Sequence, residues 1–199
     1  MPLSEPDVER ELHHTRRITL SGYRRRDGLY DIEGLLEDTK PFDVPNHHRE
    51  TIPAGHPIHG MRLRLTVDLD LVIRGVEVAS DDVPNPVCRE VTTNFQRLVG
   101  LSMTPGFTRA VRERVGGREG CTHLVELVGA LATAAYQTLY FEREQRDRAN
   151  PDRARPHIID TCYTLRSDGP VVARRWPQYA THPEAPDPAE AGLSEREQD

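Results

Sequence analysis

Between Met61 and Ser80 the chain reads MRLRLTVDLDLVIRGVEVAS, and this alternation constrains the fold more than any other feature of the sequence. Leu63, Leu65, Val67 and Leu69 alternate with Arg62, Arg64, Thr66 and Asp68, the pattern of a strand with one buried and one wet face. A turn around Asp68–Asp70 then leads into a second strand carrying Leu71, Ile73, Val76 and Val78, with a bulge expected at Gly75. Two further strands are expected upstream. Thr15–Tyr23 places Ile18, Leu20 and Arg16 on one face, RRRDG reads as a turn, and Leu29–Leu36 returns antiparallel. Residues 41–57, rich in proline and histidine, read as a long loop of the kind that either serves a site or is mobile.

After Ser80 the apolar spacing changes to a helical one. Asn85 reads as an N-cap and Pro86 as the first position of a helix reaching Leu98, with Val87, Val91 and Phe95 along it. Thr104 and Pro105 repeat that signature for a helix to about Val115, and the glycine pair 116–117 stops it. The longest helix is expected from about Glu119 to Arg146, with Leu124, Leu127, Val128, Leu131, Ala135 and Leu139 as its apolar stripe. HIIDTCYTL and VVARRW, flanking SDGP, read as a closing hairpin. The fold class expected is therefore α+β: an antiparallel sheet packed against three helices on one side, in the order β-β-β-β-α-α-α-β-β. Residues 13–176 form a single domain in this reading, between a flexible 1–12 and a disordered Pro/Glu/Ala-rich tail at 177–199.

Charge and hydropathy exclude some function classes. A net charge of −6 is the wrong sign for general nucleic-acid binding. No apolar run approaches the roughly 18 residues of a membrane span, and the polar start MPLSEPDVERELHH lacks the core of a signal peptide. The expectation is a cytoplasmic protein whose three cysteines are thiols or ligands rather than disulfides.

The residues that could carry chemistry are few. Cys88 falls in the first turn of one expected helix and Cys121 near the start of another, where free N–H groups favour a thiolate. His59 stands just before the main hairpin and would complete a His59/Cys88/Cys121 set suited to zinc or iron. Each cysteine also fits a buried core position. Cys162, on an expected strand, is either a fourth ligand or core. His123 and Glu126 are three apart on a helix and share a face, so they form a polar pair able to hold a general base. Cys121 and His123 cannot both point inward unless the helix begins between them. The favoured arrangement turns Cys121 toward the site. Glu33, between Ile32 and the Leu35–Leu36 pair, is a third candidate for proton transfer or ligand support.

The segments RDGLYDIEG, EDTK and PIHGMRLRLTVD, the Cys88 helix and GCTHLVELVGALATAAYQTL resemble the bacterial family catalogued as domain of unknown function 2889, over about residues 13–176. That family implies no particular activity. Residues 59–140 also resemble iron–sulfur scaffold proteins of the NifU, IscU and SufU type, in which a cysteine leads into a hairpin and two more open helices. His59 replaces the first cysteine here, and Met61 its usual aspartate. The resemblance implies a three-ligand pocket at His59, Cys88 and Cys121, and a role in sulfur or metal handling with a partner protein of that trade. Two other readings stand beside it: a metal-dependent hydrolase or lyase acting on a small molecule, and a non-catalytic binding domain with buried cysteines.

Overall fold

The computed structural model describes residues 3–150, 155–156 and 158–181. The chain divides into two compact units, Met1–Arg146 and Asp147–Asp199. Residues 3–14 have no regular secondary structure. In the first unit β1 (Thr15–Arg24), β2 (Tyr30–Thr39), β5 (Pro57–Val67) and β6 (Ile73–Asp82) form a four-stranded antiparallel sheet in the order β1-β2-β5-β6. The α+β class with an antiparallel sheet is as expected. The 40–56 insertion is not all loop. It carries a two-stranded ribbon, β3 (Val44–Asn46) with β4 (Glu50–Ile52), rooted between the end of β2 and the start of β5.

Alternation decides the faces. Tyr30, Ile32, Leu36 and Asp38 of β2 are buried, as are Met61, Leu63, Leu65 and Val67 of β5, while Arg62 and Arg64 are exposed. On the exposed face Arg64 bonds Glu33 at 2.7 Å and Glu77 at 2.6 Å.

Helix α2 (Thr122–Thr138) covers the inner face with Leu124, Leu127, Val128, Leu131 and Ala135. Two glycines let it lie close. A Cβ on Gly34 would come within 2.9 Å of Leu127, and one on Gly22 within 1.9 Å of the Thr138 hydroxyl. The expected helix to Arg146 breaks here, with α3 (Tyr140–Arg148) following at a bend of 52°. The Thr138 hydroxyl donates to Ala134 O at 2.9 Å, the back-bonding that bends helices.

Asn85 caps as expected by accepting from Val87 N, but Pro86–Leu98 is a 3-10 helix rather than an α-helix. Thr92 and Thr93 bond back to Arg89 O and Glu90 O, competing with the α-helical ladder, and 3-10 spacing aligns buried Phe95 with Leu98. Helix α1 spans Phe107–Val115, its start set by Gly106 at φ 95° instead of by Thr104. No single helix among the described residues is long and apolar enough to cross a membrane.

In the second unit the expected hairpin is absent from the described residues. A turn, a 3-10 segment (Tyr163–Leu165) and helix α4 (Pro170–Arg175) stand in its place. Pro170 has no N–H for a strand ladder and opens a helix at its first position. Asp160, at φ 67°, accepts from Ser167 N at 2.7 Å and closes the loop. Most of the expected tail, from 182 onward, lies outside the described residues.

Candidate metal centre

Three strands deliver one polar rung to the inner face. Arg16 pairs with Asp38 across β1 and β2, and Asp38 with His59 across β2 and β5. Asp38 occupies the same parity as Tyr30, Ile32 and Leu36, so the pleat that buries those side chains also buries its carboxylate, which is 3% exposed. Helix α2 begins above this rung. Cys121 is its N-cap residue in extended conformation and Thr122 its first residue, so the helix does start between Cys121 and His123. Both side chains therefore reach the same place, with Cys121 Sγ 3.7 Å from His123 Nδ1.

Asp38 is the centre of the cluster. Its Oδ1 accepts from Arg16 Nε at 2.8 Å and lies 3.0 Å from His14 Nε2. Its Oδ2 accepts from Arg16 Nη2 at 2.8 Å, and lies 3.0 Å from His59 Nδ1 and 3.7 Å from His123 Nε2. The His59 and His123 rings stack with centroids 4.0 Å apart. Burial pushes the Asp38 carboxyl up. The Arg16 guanidinium, with hydrogen bonds from His14 and His59, outweighs that and holds it down at about 2. Burial, with His59 and Arg16 nearby, pushes His123 below the usual imidazole range and so favours the neutral form, the one that ligates metals.

One donor atom from each of Asp38, His59 and His123 lies within 4.8 Å of the other two. Ligand atoms around an ion held at roughly 2.0–2.2 Å sit about 3–3.5 Å apart. The 3.0 and 3.7 Å separations at Asp38 Oδ2 are close to that spacing. Two imidazoles and a carboxylate make a donor set of the kind that ligates divalent metals with positions left open.

The structure brings together a different set from the one expected. His59 belongs to it, but the His59/Cys88/Cys121 triad does not assemble: among the described residues no group of three donor atoms this close includes either cysteine. Cys88 is half-buried against the hydrophobic core at the 3-10 segment. Cys121 touches His123 and Met61 Sδ, the latter at 4.0 Å. Cys162 is exposed in the second unit, on no strand. His123 and Glu126 share the site end of α2 without pairing as expected; Glu126 bonds Arg16 Nη1 at 2.5 Å. Glu33 lies on the opposite face of the sheet, bonded to Arg64, and takes no part. Asp38, Arg16 and His14 were not among the expected site residues. Asp38 carried a usable signal, a charge at an even step from Tyr30, Ile32 and Leu36, hidden because the strand was expected to end at Leu36.

Fold and site together define an α+β protein with an Asp/His/His group, its carboxylate buried and its histidines half-buried, whose donor atoms are close enough to hold a metal ion. The chain belongs to the family described as Protein of unknown function (DUF2889), which matches it over residues 14–137. No curated protein and no solved structure matches it. Nothing in the fold or site supports the iron–sulfur scaffold resemblance.

Proposed function

We propose that Asp38, His59 and His123 bind one zinc or iron(II) ion, whose open positions serve a small organic substrate in hydrolase or lyase chemistry. The observation that carries this reading is the convergence of three donors from two strands and a helix within 4.8 Å. An ion there would polarise a substrate oxygen or lower the pKa of a bound water. His14 bonds Asp38 Oδ1 and Arg16 bonds both of its oxygens, fixing the carboxylate as outer partners of metal ligands do. Glu126, three residues along α2 from His123 and tied to Arg16, is the carboxylate at hand for proton transfer. A donor set without a thiolate gives a sulfur-carrier role no support, since iron–sulfur clusters hang on cysteine.

A second reading has one observation in its favour. Asp38 Oδ2 lies 3.0 Å from His59 Nδ1, so the pair orients an imidazole as a metal-free general base. Elemental analysis decides between the two. Protein purified anaerobically from zinc- and iron-supplemented cells should carry about one equivalent of metal (the single site proposed). His59→Ala and His123→Ala should each lose it, and Cys88→Ser should keep it. Metal-free wild type would sink the metal reading and leave the Asp38–His59 base.

A further inference from the structure

Lys40 is the only lysine in the chain; the other 25 cationic side chains of its Lys and Arg complement are arginines. It follows Asp38 by two residues, at the root of the 40–56 insertion, and its carbonyl accepts from Gly55 N at 2.8 Å. The side chain is half-buried. Its Nζ stands 5.7 Å from the centroid of the Phe42 ring, and that ring contacts His13 with centroids 4.9 Å apart. His13 is followed in the chain by His14, which bonds Asp38. The trio of Lys40, Phe42 and His13 is therefore joined to the metal-ligand group from two directions, through β2 and through the residues leading into β1.

Among the described residues no carboxylate pairs with Lys40, and the Phe42 ring is its one side-chain partner. Arg16 is committed to Asp38 and Glu126, and Arg49 to Pro57 O and Asp82. An ammonium held over an aromatic face keeps its N–H donors free for an incoming acceptor. Phe42 is 41% exposed, so part of its ring stays open to an apolar group.

We propose that Lys40 anchors the carboxylate of a small aromatic carboxylic acid, whose ring lies on Phe42 and whose far end reaches the metal. The last clause rests on the function proposed above; the anchoring does not. Because the chain holds one lysine, biosynthetic labelling with 13Cε-lysine places a single resonance in the spectrum, that of Lys40. Benzoate, its neutral analogue benzamide, and inorganic phosphate are titrated into the metal-free and the zinc-treated protein. Benzoate should shift the resonance saturably, benzamide should not, and phosphate should do so far more weakly. Lys40→Gln should weaken benzoate binding roughly tenfold by calorimetry, the usual weight of a charge-assisted hydrogen bond. No saturable shift in either form overturns the proposal, and so does an equal response to benzamide or to phosphate. Failure of zinc to bind would leave the metal-free titration readable, so loss of the metal reading and loss of the carboxylate anchor are told apart.

Discussion

Two neighbouring rungs on the inner face of the sheet make opposite use of the same geometry. Ile18, Leu36 and Met61 face each other across β1, β2 and β5; one pleat further along, Arg16, Asp38 and His59 do the same. Leu36 and Asp38 are almost equally buried, at 0% and 3% exposed. The apolar rung stabilises the fold by removing hydrocarbon from water. The polar rung has to desolvate a carboxylate, and it is tolerated only because Arg16, His14 and His59 surround that carboxylate with hydrogen bonds. It also lies under the first turn of α2, where the helix dipole favours a negative charge. The contrast teaches that burial alone does not mark this site. What marks it is burial of charge at a position the pleat reserves for core.

Four measurements break or sharpen that contrast. Leu36→Ala should have the largest effect, a loss of about 2–5 kcal/mol in denaturant unfolding, because it empties a fully buried position beside α2. Acid comes next. Asp38 is held at about 2 in the folded protein against its ordinary 3.8. Its contribution is therefore complete above about pH 4 and disappears as pH falls through about 2. That loss amounts to about 2 kcal/mol, and it should be missing from the stability–pH curve of Asp38→Asn.

The paired change Arg16→Met with Asp38→Leu turns the polar rung apolar. Stability should hold or rise by about 1 kcal/mol while metal uptake vanishes, as when buried ion pairs give way to hydrocarbon. A large loss of stability would mean that the polar rung holds the fold together. Smallest of all, Cys88→Ser should shift stability by about 1 kcal/mol or less and leave metal content unchanged. Loss of metal in that variant would restore the cysteine to the site.

The distance between expectation and structure follows from the physics each signal carries. Main-hairpin alternation translated directly into β5 and β6, and the apolar stripe from Leu124 to Ala135 into α2, because periodicity fixes which side chains share a face. Arg16 was placed correctly on the face of Ile18 and Leu20 for the same reason. Valine and alanine in VVARRW look alike in a strand and in a short helix, and there Pro170 decided for helix. The cysteines misled because a helix start favours a thiolate without saying what it faces.

The sequence by itself determined the antiparallel sheet, the face each strand buries, the core stripe of α2, and the candidacy of His59 and His123. Only the tertiary structure decided that those two histidines meet at Asp38 and not at Cys88. That choice depends on strand register, which sets Arg16, Asp38 and His59 in one row, and on α2 starting after Cys121, which brings His123 down onto it. Local pattern specifies a direction for each side chain. The meeting of residues 85 positions apart is specified by how whole elements stack, and no short stretch of sequence contains that information.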